Sequence, residues 1–265
     1  MAATYWSTLP ELPEAETIAR SLRSAVSGRT IVTVAFLAKR VSQDDPARLA
    51  GRTIRTVVRH GKQVMLELDR GFVHVKLGMT GALLVNAVAG AYTRAVFDLD
   101  DGSRLSFDDI RQFGSLSLID APPATLGPDP LEIDAVAFAA RLRARRGKLK
   151  PLLLNQSFLR GLGNIYVDEA LFRAGLHPLA AAERLKPVRA EGLHAAIAEL
   201  LTDAIAHRGS SISDYVDAAG ERGSFQNLHR VYGKEGQPCV NCGEHIRRIV
   251  VVQRGTHFCP HCQRR

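Results

Sequence analysis

The sequence predicts an α+β multidomain fold, and three observations carry that expectation. A helical period near the start gives way to strand-like alternation up to about residue 120. A connector rich in proline follows, Ala121 to Pro130, and beyond it the pattern turns helical. The last segment carries all four cysteines as two Cys-x2-Cys pairs. The expected divisions are an extension at 1–9, a helix with an antiparallel β-sandwich at 10–125, a helical domain at 131–225 and a metal-binding hairpin at 226–265.

Residues 13–27 have Ile18, Leu22 and Val26 on one face, with Gly28 as the stop. Pro10-Glu11-Leu12-Pro13-Glu14 stands where that helix begins, and both the acids and Pro13 suit a first helical turn. The period then changes to two at Val32, Val34 and Phe36, at Val64, Leu66 and Leu68, at Val73, Val75 and Leu77, and at Leu116 and Leu118. Asp101-Gly102 reads as a hairpin turn. Past the connector, helices are expected at 134–146, 150–156, 164–174 and 188–207, with Gly175 and Gly209 at helix ends. Leu193, Ile197, Leu200, Leu201 and Ile205 form the packing stripe of the longest of them.

With 46% hydrophobic and 23% charged residues, the composition excludes a disordered chain. No apolar run approaches the ~20 residues of a membrane span, and Met1 to Leu9 lack the features of a secretory signal, so a cytoplasmic protein is expected. A net charge of +8 favours an anionic partner. Seven Lys and Arg face only two acids between His229 and Arg265, which places more than half of the excess there. A second basic run, Arg141 to Lys150, holds six cations and no acid.

Cys239 and Cys242 are separated by sixteen residues from Cys259 and Cys262. Each pair sets two thiolates on one tight turn, and a hairpin containing Val250, Val251 and Val252 brings the pairs together as a tetrahedral zinc site. Every cysteine is used, which leaves no open position for catalysis, so one structural zinc is expected. His245, His257 and His261 are read as surface or packing residues, and paired disulfides or a redox Cys-x2-Cys are the alternative.

Several blocks, taken in order, resemble the formamidopyrimidine-DNA glycosylase (Fpg/Nei) family of bacterial repair enzymes, closer to its Fpg branch. They are Pro-Glu-Leu-Pro-Glu at 10–14, Gly61-Lys62, Leu-Gly-Met-Thr-Gly at 77–81, Arg111-Gln-Phe-Gly114 and Leu-Gly-Pro-Asp-Pro-Leu at 126–131. Gly-Leu-Gly-Asn-Ile-Tyr-Val-Asp-Glu at 161–169, Val-Tyr-Gly-Lys-Glu-Gly-Gln-Pro-Cys at 231–239 and Gln253-Arg254 complete the set. The resemblance implies an N-terminal helix and β-sandwich, a helix–two-turn–helix module and a zinc hairpin. Together these would bind double-stranded DNA carrying damaged bases or abasic sites, as a monomer associated with the nucleoid.

By the same resemblance, Lys150, Asn164 and Arg254 are expected DNA-phosphate ligands. Met79, Gln112 and Phe113 are the side chains expected to fill the gap left when a damaged nucleotide leaves the stack. The chain departs from the branch at Gln112, where Arg is usual, at Lys76 in place of His, at Ile110 in place of Pro and at Glu221 in place of a common Lys. The family's nucleophile is an N-terminal proline amine, here Pro10. Glu11 would be the acid/base at the sugar ring oxygen, Lys62 would assist at a phosphate, and Glu14 would support the pocket.

Such an amine titrates near 8, far below lysine near 10.4, so a useful fraction is unprotonated at neutral pH. As written, however, the Pro10 nitrogen lies in the Leu9–Pro10 amide, with its lone pair delocalised and no hydrogen to lose. Two expectations follow. In one, translation begins at Leu9 on a non-AUG codon, so that initiator removal exposes Pro10 and gives base excision with β,δ-elimination. In the other, the extension is retained and the protein is a monofunctional glycosylase, uses another amine such as Lys62, or binds damaged DNA without catalysis. A zinc-ribbon nucleic-acid binder without enzymatic activity is the alternative from another class.

Overall fold

The computed structural model describes residues 9–212 and 214–264, so Tyr5 and Trp6 of the extension lie outside the described residues. The chain forms two compact units, one running to Ala124 and regained at Ile205–Gln226, the other Thr125–Ala204 with Asn227–Arg265. Residues 205–225, expected from the sequence in the helical domain, and Gln226, expected at the start of the hairpin, therefore group with the first unit. The zinc hairpin groups with the helices.

In the first unit, α1 (Leu12–Val26) buries Leu12, Ala15, Ile18, Ala19, Leu22 and Val26 completely. Gly28, at φ +80°, ends it and donates its N–H to Ile54 O at 2.7 Å. Two antiparallel four-stranded sheets share the core. One has the order β1 (Ile31–Phe36), β6 (Thr93–Leu99), β7 (Arg104–Asp109), β5 (Gly81–Val85). The other has the order β2 (Ile54–His60), β3 (Gln63–Leu68), β4 (Phe72–Lys76), β8 (Ser115–Ile119).

Val64, Leu66, Leu68, Val73, Val75, Leu77 and Leu116 all point into that core, with Leu118 packed at its margin. The alternation expected in β1 is corrected at one end. Its register shifts between Ile31 and Thr33, so Ile31 is buried and Val32 is exposed. Tyr215 and Ala218, from the returning segment, complete the core.

The second unit begins with the connector, where Gly127 is required: a Cβ there would lie 2.7 Å from the backbone of Ser157 and Phe158. Asp134 caps α2 (Ala135–Arg143) by accepting from Ala137 N at 2.8 Å. Next come α3 (Leu149–Leu154), α4 (Asn164–Arg173) and α5 (Pro187–Ala206). The first two helices end earlier than their sequence pattern suggests. Gln156 lies in the link between α3 and α4, where its amide donates to Leu154 O and Leu162 O and accepts from Gly161 N. Those bonds shape the two turns that join the helices. The hairpin of β9 (Arg247–Val251) and β10 (Arg254–Phe258) follows, and there only Val251 of the three valines is buried.

Candidate active site and nucleic-acid interface

Pro10 and Glu11 are both buried at the mouth of α1, where Glu11 is the N-cap. Glu14, one turn further on, accepts from Glu11 N at 2.8 Å with Oε2 and from Ser210 N at 2.7 Å with Oε1. One carboxylate thus satisfies an orphan amide of the helix start and fastens that start to the returning segment. Gly209, at φ +75°, makes the approach possible, since a Cβ there would lie 2.7 Å from Glu14 Oε1. Tyr215 donates its hydroxyl to Glu14 O at 3.4 Å. Burial, then the Glu14 charge, pushes that phenol far up, so it stays a neutral donor.

Lys62 occupies the tight β2–β3 turn behind Gly61 at φ +65° and is partly exposed. α1 packs across the strands on either side of that turn.

Met79, Gln112 and Phe113 come from two loops that the structure brings together. Gly78 and Gly114 permit it, since a Cβ on Gly78 would lie 2.7 Å from Gly114 N. Phe113 is 58% exposed, unusual for a Phe on a well-held loop. Arg111 covers its ring at 4.8 Å and reaches Met79 Sδ at 3.6 Å. Gln112 is exposed at φ +54°.

The holder of this loop is Asp109, which the sequence reading did not single out. Its buried carboxylate accepts from Gly114 N at 2.7 Å, from Arg111 N at 3.2 Å and from the Thr80 hydroxyl. An acid two residues ahead of Arg111-Gln-Phe-Gly, facing the Thr of Leu-Gly-Met-Thr-Gly, was the available signal.

In the second unit one expectation is corrected. Lys150 does not offer its ammonium to solvent: it is fully buried, paired with Asp168 Oδ1 at 2.6 Å, and donates to Gly255 O at 3.1 Å. The α3 face on which it lies is the one packed inward, unlike the exposed cations Arg143, Arg145, Arg146 and Lys148 just before it. Asn164, the first residue of α4, also donates to Gly255 O, at 3.0 Å. Arg254, the neighbour of Gly255, is exposed beside the hairpin turn.

Asp168 and Glu169 are further residues that sequence reasoning quoted only inside a block. Asp168 Oδ2 accepts from His257 N at 2.8 Å. Glu169 accepts from the amides of Arg230, Val231 and Tyr232 at 2.8–3.0 Å. Burial still pushes the Glu169 carboxyl up against those three donors.

The four cysteine sulfurs lie within 4.8 Å of one another, with Cys239–Cys262 at 3.9 Å and Cys242–Cys259 at 3.5 Å. Thiolates at the usual ~2.3 Å from one tetrahedral zinc would be about 3.8 Å apart, so the set fits that ion and the four cysteines hold one structural zinc. No histidine joins them. His245 and His261 are exposed, and His257 packs on Asp168 and Tyr232.

The proposed site residues divide between the units: Pro10, Glu11, Lys62, Met79, Gln112 and Phe113 in the first, Lys150, Asn164, Arg254 and the cysteines in the second.

Three family models match the chain in order. "Formamidopyrimidine-DNA glycosylase N-terminal domain" covers residues 9–116, "Formamidopyrimidine-DNA glycosylase H2TH domain" covers 126–216, and "Zinc finger found in FPG and IleRS" covers 236–265. The formamidopyrimidine-DNA glycosylase of Solibacter usitatus is 51% identical, across 97% of this chain and all of the relative. That of Chloroflexus aggregans is 45% identical, across 96% and 98%. Among solved structures, a Lactococcus lactis FPG mutant bound to Fapy-dG-containing DNA superposes with a TM-score of 0.88 at 35% identity, over 97% of this chain and 100% of that one. The Lactococcus lactis Fpg bound to abasic-site DNA does so with 0.87 at 34% identity, over 96% and 100%. On matched domains, identity and fold, this chain belongs to the formamidopyrimidine-DNA glycosylase family.

Proposed function

We propose that this chain excises oxidised or ring-opened bases from double-stranded DNA in bacterial base-excision repair, and then cleaves the strand. The observation that carries the reading is the buried Pro10–Glu11 start of α1, held by Glu14 to Ser210. Pro10 and Glu11 are adjacent at a helix end held by Glu14, which supports reading them as an amine, once Pro10 is the first residue, beside an acid.

The chemistry runs through the secondary amine of a chain that begins at Pro10. Its lone pair attacks the sugar C1′, the base leaves with the glycosidic electron pair and takes up a proton, the amine loses its own proton to give a neutral aminal, and cleavage of the C1′–O4′ bond then turns that aminal into an iminium. Glu11 donates a proton to the ring oxygen as the sugar opens. The iminium acidifies the C2′ proton, whose loss expels the 3′ phosphate, and a second elimination expels the 5′ phosphate. Lys62 and Arg254 neutralise phosphates, and Met79, Gln112 and Phe113 occupy the space of the displaced nucleotide.

The Leu9–Pro10 amide favours a second reading for any chain that retains it. There Glu11 would activate water and the product would be an intact abasic strand. Borohydride trapping on abasic-site DNA, with intact-mass analysis of the native protein, separates the two. We expect a covalent adduct on a chain whose first residue is Pro10. An adduct on a chain that keeps Leu9 would move the amine to a lysine such as Lys62, and tight binding with no adduct would end the lyase reading.

A further inference from the structure

Lys150 is a fully buried cation whose charge the excision chemistry does not use. Its surroundings connect it to the tip of the zinc hairpin. A two-residue turn, Val252–Gln253, joins β9 to β10, and the next pairs are Val251 with Arg254 and Val250 with Gly255. In such a ribbon the first pair is hydrogen-bonded, whereas the second turns its backbone groups outward. Gly255 O and, two residues on, His257 N thus face away from β9. The first accepts from Lys150 Nζ at 3.1 Å and Asn164 Nδ2 at 3.0 Å, and the second donates to Asp168 Oδ2 at 2.8 Å.

The turn beside them is unfavourable in isolation. Val252 has φ +43° and Gln253 φ +61°, where Asn-Gly would be the ordinary choice. A β-branched residue there persists only when its surroundings impose the conformation. A buried Lys–Asp pair adds little stability over apolar residues of similar size, so placing the ribbon is a better account of it.

We propose that Lys150 and Asn164, with Asp168 behind Lys150, are positioning residues for Arg254. They clamp the Gly255 carbonyl and thereby fix the turn that presents the Arg254 guanidinium to a DNA phosphate. The inference rests on the reading of Arg254 as a phosphate ligand. Lys150 then acts on DNA binding through the protein backbone, without touching DNA.

A double-mutant cycle tests this. The Lys150→Met/Asp168→Asn variant removes both charges together, so neither is stranded, and Asn164→Ala removes the second donor independently. Each is combined with Arg254→Ala. Affinity for a duplex carrying a tetrahydrofuran abasic analogue is measured across salt concentrations, alongside zinc content and melting temperature.

In the native chain Arg254→Ala should weaken binding roughly 10-fold and reduce the salt slope by about one. With zinc content unchanged, the clamp variants should show the same loss and the same slope change, and Arg254→Ala should then cost less than about 3-fold in their background. Equal costs of Arg254→Ala in both backgrounds overturn the clamp. If Arg254→Ala changes neither affinity nor salt slope in the native chain, the phosphate-ligand reading fails and the clamp falls with it. If the double variant loses zinc, the Asn164→Ala cycle decides by the same criterion.

Discussion

Glu14 is the residue on which the start of α1 depends, and Gly209 is the residue that lets it act. A methyl group on Gly209 meets the Glu14 carboxylate, and φ +75° is strained for any L side chain. Gly209→Ala should therefore destabilise the protein by about 1–3 kcal/mol. It should also lower excision at saturating DNA, measured by single turnover, because the amides of Glu11 and Ser210 lose their shared acceptor. His229 supplies a pH dependence. Burial, reinforced by Lys234, holds its imidazole near pKa 4, below the ordinary 6.5. A depressed folded pKa contributes stability that is whole above about 6.5 and is lost as pH falls toward about 4, where the unfolded chain takes the proton first. Urea unfolding across that range should show a loss of up to about 3 kcal/mol, and His229→Gln should flatten it.

At the scale of elements, the hairpin is the one that cannot stand without its ion. It has two short strands, and its core contribution is little more than Val231, Ile246 and the cysteines against Phe172. A strong chelator, or Cys259→Ser, should abolish binding to abasic-site DNA while far-UV circular dichroism keeps most of its amplitude. The hairpin was legible from cysteine spacing alone, as α1 was from its four-residue period, because each is a local pattern. β1 departs from the expected alternation only at its start, where Ile31 is buried in place of Val32, because that irregularity depends on pairing with β6, far along the chain. Helix α3 ends early for a similar reason: Gln156 serves the turns beyond it through Leu154, Leu162 and Gly161, partners that helical period does not register.

Over the whole molecule the charge of +8 has a measurable consequence. If two or three phosphates are neutralised, affinity for an abasic duplex should fall roughly 10–40-fold between 50 and 200 mM salt. Fluorescence anisotropy at several salt concentrations checks this. The ordered blocks made the family legible, and with it the candidate amine and acid, whereas the zinc was legible from the cysteine spacing alone. What stayed hidden were residues whose meaning lies in a distant partner: Asp109 holding the Phe113 loop, Asp168 beneath Lys150, and Ser210 waiting for Glu14.

That last bond has a temporal meaning. Glu14 and Ser210 are 196 residues apart, and the core that buries α1 also includes Tyr215 and Ala218. During synthesis α1 is among the first segments to leave the ribosome, yet its Glu14 carboxylate can reach only the local Glu11 amide until most of the chain has been made. A half-finished chain carries α1 without the bond that fastens its start to the returning segment, so that helix end is secured late, when nearly all of the first unit is there to hold it.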